Sequence, residues 1–333
     1  MEGLSRNNHY VSQMYLNTWA RNHKVEVYDL IVPNEHYPTW NKKNVKNICS
    51  YNSMFVRLEN EKEIDDIEKW FADQYETPVK ESLTKAITGK TLTKEDWEKL
   101  INFMTCHLLR SPAFLQKLLD VAKNTKINIG KEITKEQLEE NIKANETKSL
   151  FPIKITDLGK TDQKNHLLQV ETIIGKQYYL WSIKNHLEKY SKIFQKNSWG
   201  IIEVDKDVIL PTSDNPVISL NYRSENDYSL DGVWNQKNTN ILFPISSNRI
   251  IYCQVGNKVP PILKCNKEKS EFLKKIICEN AYRKIISIEK DQEIPKLNPR
   301  IVDKERFLQE KDMWNHFQKE YLEKEKEYIK RKS

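Results

Sequence analysis

Two periodicities divide the chain. Through its first half, apolar residues recur three and four apart, as on one helix face; beyond residue 198 they gather in short runs between turn residues. The run Asn7-Asn8-His9-Tyr10-Val11-Ser12-Gln13-Met14-Tyr15-Leu16 reads as a helix start. Asn8 is its expected N-cap, because its side-chain oxygen can accept an early backbone N–H. Tyr10, Met14 and Trp19 then pack inward, and His9 and Gln13, four apart, share one face. Residues 25–28 alternate as a strand, 33–44 form a loop bearing Pro and Asn, and 53–58 form a second strand paired with the first in a small ribbon. Ile64, Ile67, Phe71 and Tyr75 make a helical stripe, and Pro78 opens a new helix with Thr77 as its cap. Thr93 caps the next, with Asp96 completing a capping box. That helix buries Trp97, Leu100, Ile101, Met104 and Leu108 and stops near Ser111-Pro112. Residues 131–147 have the Glu/Lys spacing of a solvated helix, and 163–192 read as a long helical stretch interrupted at Gly175.

The period then changes. Residues 199–204, 208–210, 217–220, 241–243, 250–254 and 283–287 read as short strands of an antiparallel sheet, with a polar surface loop at 223–239. Residues 303–332 form a charged amphipathic helix with Phe307, Trp314, Phe317 and Tyr321 near one stripe, suited to docking on the body or on a second copy. The expected fold class is α+β: a mainly helical part (1–195, with the small ribbon), an antiparallel sheet part (196–290) and a closing charged helix (291–333), in one compact unit.

Composition adds bounds. A chain of 333 residues can bury a substantial core. The net charge of +7 raises the local concentration of polyanions, so RNA or DNA is a candidate partner. Five widely spaced cysteines without a C-x-x-C pair argue against a structural zinc site and suit a reduced compartment. The N-terminus is polar where a signal peptide would be apolar, and no apolar run approaches the roughly 18 residues of a membrane span. The expectation is a soluble cytoplasmic protein with no membrane partner. Phosphate-binding glycine loops, H-E-x-x-H and the G-x-S-x-G elbow are all absent, which disfavours P-loop hydrolysis, dinucleotide redox chemistry, zincin chemistry and esterase chemistry.

A few polar groups stand out. Glu68 falls on the stripe expected to be buried, where a carboxylate needs a partner. It is a metal ligand, a base or half of an ion pair, and Glu76 closes the same helix. His107 and Arg110, three apart, project from one side of their helix. Arg110 either clamps a phosphate through its planar fork, with His107 relaying a proton, or pairs with Glu68 or Glu76 and staples two helices. Thr212-Ser213-Asp214-Asn215-Pro216 is an ordinary turn signal that also groups two hydroxyls, a carboxylate and an amide.

Four stretches, in order, resemble the bacterial family called domain of unknown function 4238. They are the N-H-Y-V-S-Q run at 8–13, His107-Leu108-Leu109-Arg110-Ser111-Pro112, Thr212-Ser213-Asp214-Asn215-Pro216-Val217 and Phe243-Pro244-Ile245-Ser246. Ser12 stands where the family usually has Pro. The resemblance implies a shared shape and no assigned reaction, and it draws His9, Gln13, Glu68 or Glu76, His107, Arg110, Asp214 and Asn215 towards one expected polar cleft. The activity expected of such a cleft is phosphodiester cleavage in RNA or DNA, in the role of a toxin or phage-defence effector. Mg²⁺ or Mn²⁺ would be held by Asp214 with Glu76 or Glu68, and His9 or His107 would act as acid or base. Gln13 and Asn215 would complete the catalytic set, and Arg110 would stabilise the phosphate. The rival is a non-catalytic module that binds a protein or small ligand, with the C-terminal helix as a homodimer contact. A third expectation is that the shared stretches merely hold the two halves together.

Overall fold

The computed structural model describes residues 6–59, 62–124, 127–131, 134–138, 140, 153–160, 166–172, 176–310, 312, 319 and 323. It is an α+β fold. The first helix is short, α1 (Gln13–Leu16), and its cap is Ser12, whose hydroxyl accepts the Tyr15 N–H. Asn8 does not cap it. Asn8 lies in the strand Asn7–His9, and its side chain is used at a distance in sequence, as set out below.

Helix α2 (Asp66–Phe71) runs through a π-helical turn (Ala72–Glu76) directly into α3 (Thr77–Thr88). Thr77 therefore lies inside the continuous helix and is not the N-cap of α3. Pro78 lacks the N–H that an uninterrupted helix would use, and the widened turn accommodates it. Helix α4 (Lys94–Arg110) begins with the expected capping box of Thr93 and Asp96. It ends at Ser111, and α5 (Pro112–Asn124) starts at once with Pro112 in its first turn. Helix α6 (Lys176–Phe194) begins just after Gly175, but His166–Thr172 is a strand rather than helix. That strand lies between Ile127–Lys131 and Ile153–Lys160, and cross-strand pairing there outweighs local helical preference.

The largest sheet among the described residues runs in the order Asp227–Ser229, Ile218–Ser224, Asn240–Ser246, Arg249–Gln254, Gly200–Glu203, Ile262–Lys264. Its pairs are antiparallel except the last. Gly200 is required where that parallel strand arrives, since a Cβ there would lie 2.2 Å from the Pro260 carbonyl oxygen. Residues 208–210 are not a strand, and 227–229 add a strand to the expected loop. Alternation along these strands covers the sheet on both faces. Ile241, Phe243, Ile245, Ile251 and Cys253 join the main core with α3, α4 and α6. Leu242, Ile250 and Tyr252 pack on α7 (Lys267–Glu279) through Leu273, Ile276 and Ile277.

A second antiparallel sheet joins the two ends of the chain. Its order is Thr212–Ser213, Lys284–Ser287, Lys24–Asp29, Asn41–Asn44, so strands from both ends of the sequence pair directly. Residues 25–28 thus pair across to 284–287 and to 41–44, inside the expected loop, and not with 53–58. The C-terminal helix is described at 304–310, where Phe307 meets Tyr37 and Glu310 pairs with Arg283. Trp314, Phe317 and Tyr321, and most of 139–152, lie outside the described residues.

Candidate functional site

The N-terminal segment 8–16 threads between elements from the whole chain. Asn8 is fully buried; its Oδ1 accepts the Phe55 N–H at 3.0 Å and its Nδ2 donates to Glu68 Oε2. Glu68 Oε1 also accepts the His9 N–H at 3.4 Å, so this carboxylate holds the Asn8 side chain and the His9 backbone. The His9 ring bonds the Lys46 carbonyl through Nε2 at 3.2 Å, and Gln13 Nε2 lies 3.5 Å from its Nδ1. Nε2 therefore carries the proton, and Nδ1 is the basic nitrogen. Burial lowers the His9 pKa below the usual imidazole value, against the opposing pull of Glu68. Gln13 and His9 meet as expected, but across a strand-to-helix junction and not along one helix.

Helix α4 supplies the next holds. Arg110 is 2% exposed; its Nε donates to the Tyr10 carbonyl at 3.0 Å and its Nη1 to Glu76 Oε1 at 2.9 Å. Its guanidinium carbon lies 5.3 Å from the centre of the Phe71 ring. Of the two roles open for Arg110, the helix-stapling one is thus formed, with Glu76 as partner. His107 is fully buried, and its Nε2 accepts the Ser12 N–H at 3.2 Å while Nδ1 donates to the Phe103 carbonyl at 3.0 Å. Burial, reinforced by the Arg110 charge, keeps this imidazole well below its usual pKa, so it is a neutral acceptor. No solvent reaches it as a relay would require.

The remaining stretches meet the segment at Tyr15. Its hydroxyl donates to the Pro244 carbonyl at 2.7 Å and lies 2.7 Å from Thr212 Oγ1. Its ring stacks on Phe243, with centroids 5.0 Å apart. Asp214 is held by backbone groups. It is fully buried and accepts the backbone N–H of Tyr282 at 2.9 Å and of Arg283 at 2.9 and 3.1 Å. Burial raises its pKa, against those bonds and the Lys284 charge. Among the described residues no three His, Cys, Asp or Glu side chains gather as a metal-ligand set. Of the expected Glu68–Glu76–Asp214 donors, Glu76 is engaged by Arg110 and Asp214 by backbone N–H groups. All five cysteines are free thiols, and burial pushes Cys106, Cys253 and Cys278 up to about 12, which leaves them inert at neutral pH.

Behind this clasp lies a cavity of about 120 Å³. Leu108 and Ser111 from the end of α4, Phe114 from α5, Asn215 and Val217 after the turn, and Trp234 from the facing loop are among its walls. Asn215 and Asn280, both lining it, exchange bonds: Asn215 Nδ2 donates to the Asn280 carbonyl at 3.0 Å, and Asn280 Nδ2 to the Asn215 carbonyl at 2.7 Å.

A family model described as Protein of unknown function (DUF4238) matches residues 7–291. The chain belongs to this family. No curated protein and no solved structure gives a match. The four stretches that carry the DUF4238 resemblance are spread over more than 230 positions, yet all touch either residues 8–16 or the cavity beside them. Within this DUF4238 chain, sequence reasoning missed Ser12, Tyr15 and Asn280. Ser12 drew notice only as a departure from Pro, although a serine four residues before a Leu can cap a helical turn. Asn280 is an ordinary helix C-cap by sequence, and its partnership with Asn215 is tertiary.

Proposed function

We propose that this DUF4238 chain is a non-catalytic module that binds a small ligand in the cavity between α4, α5, Asn215 and Asn280. One observation carries the reading: two of the four family-like stretches, through Ser111 and Asn215, line the same cavity. Glu76, His107, Arg110 and Asp214 are engaged in holding the chain together. Pockets that take drug-sized ligands usually span about 300–1,000 Å³, so the ligand here is smaller, or only one end of a larger molecule enters. Replacing Ala113, on the cavity wall, with Trp fills the space without touching the clasp. A thermal-shift panel of nucleotides, amines and amides on wild type and Ala113→Trp tests the proposal. At least one probe raises the melting temperature of wild type alone. A panel that treats both proteins alike refutes it.

A second reading, phosphodiester cleavage in RNA or DNA by a defence effector, keeps specific support. His9 is an imidazole held neutral beside Glu68 and Gln13, and the chain carries a net charge of +7. His9 Nδ1 would take a proton from an attacking hydroxyl, and no step runs through a metal. Incubating purified protein with tRNA and plasmid, with and without Mg²⁺ or Mn²⁺, tests it. Cleavage lost in His9→Ala supports this reading, and intact nucleic acid under every condition removes it.

A further inference from the structure

Resting on the cavity as the ligand site, we propose that it takes a nucleobase bearing an exocyclic amino group, offered by a free nucleotide or by single-stranded nucleic acid. Asn280 Nδ2 donates to the Val217 carbonyl at 3.3 Å as well as to that of Asn215, and Asn215 Nδ2 is held by the Asn280 carbonyl. Because both amide nitrogens are committed to backbone carbonyls, the orientation of each amide is fixed. The Oδ1 atoms of Asn215 and Asn280 then accept no hydrogen bond from a described residue, and neither is enclosed. Two available acceptors on adjoining wall residues suit a donor with more than one N–H. The amino groups of adenine and cytosine supply two on one nitrogen.

The other walls agree. Phe114 and Trp234 line the same space and offer aromatic surface on which an unstacked base can lie. Lys117 and Asp231 also line the cavity; their side chains are 74% and 89% exposed and stand 3.9 Å apart. Such an exposed pair is weak, which leaves Lys117 free to meet a phosphate. Bulk is limited as well: a Cβ on Gly232 would lie 2.5 Å from Ser219 Oγ, so this wall is already close-packed.

Calorimetric titration of the full chain with AMP, IMP, CMP and UMP tests the proposal, since IMP and UMP carry a carbonyl where AMP and CMP carry the amino group. The expected result is binding of AMP or CMP about tenfold or more tighter than its partner, lost in Ala113→Trp. Equal binding within each pair, or binding of none of the four, overturns the proposal. If none binds but an amine or amide stabilises wild type and not Ala113→Trp, the cavity reading stands and the nucleobase inference falls. If no probe distinguishes the two proteins, both fall. A ten-residue oligoadenylate separates the sources. Binding tighter than that of AMP identifies a strand, equal or weaker binding identifies the free nucleotide, and either supports the shared base chemistry.

Discussion

Replacing Tyr15 with Phe removes one atom from the place where three family-like stretches meet. The residue is fully buried, and the phenyl ring preserves its packing on Phe243, Trp19 and His107, each with centroids 5.0 Å away. Only the hydroxyl is lost, with its 2.7 Å contacts to the Pro244 carbonyl and Thr212 Oγ1. Thr212 is itself fully buried, so no water replaces the missing partner. Leaving a buried polar group unpaired costs about 1–3 kcal/mol, and the small space opened adds little, so Tyr15→Phe is expected to destabilise by about 2 kcal/mol. Urea unfolding reads this as a lower midpoint with an unchanged slope. Thr212→Val in a double-mutant cycle should give a coupling of about 0.5–1.5 kcal/mol, because it removes the other side of the same contact. A loss under about 0.5 kcal/mol for Tyr15→Phe would refute the idea that this hydroxyl joins the stretches.

Three further perturbations bear on the same clasp. Arg110→Met strands the Tyr10 carbonyl and the Glu76 carboxylate; because Glu76 is 24% exposed, the loss belongs at the low end for a broken buried pair, about 3 kcal/mol, and Glu76→Gln in the same chain should recover part of it in urea unfolding. Asp214→Ala leaves the Tyr282 and Arg283 N–H groups without their acceptor and should cost about 3 kcal/mol while leaving any nuclease assay unchanged relative to folded protein. The folded-state pKa of His107 lies below its unfolded value near 6.5, so the unfolded chain binds the extra proton first, and stability should fall as pH drops below about 6.5, approaching about 1.4 kcal/mol per pH unit for this residue. His9 adds in the same direction, and His107→Gln should reduce the slope measured by urea midpoints from pH 7 to 5.

Where local chemistry decides the structure, the sequence reading succeeded. Thr93 and Asp96 form their capping box because both partners lie within one turn. Residues 250–254 alternate onto two covered faces, as their pattern required. Asn8 and Ser12 carry the same capping chemistry four residues apart, and the tertiary demand of the Phe55 N–H and Glu68 on Asn8 decides which of them caps. The stretch 166–172 mixes both periods, and only its pairing partners make it a strand. For the site, motif order pointed to the residues that meet, with His9, Gln13, Glu68, Glu76, His107 and Arg110 gathered around one segment. Their roles were not legible, because whether a carboxylate or imidazole faces a ligand or a backbone N–H depends on chain passing nearby from elsewhere.

The clasp depends on His107 serving as a buried acceptor for the Ser12 N–H. Nitrogen-15 NMR of the histidine rings observes this directly. A His107 ring fixed with its proton on Nδ1, and not titrating from pH 8 down to 5.5, is the predicted result; a ring that averages its tautomers and protonates near pH 6.5 contradicts the clasp.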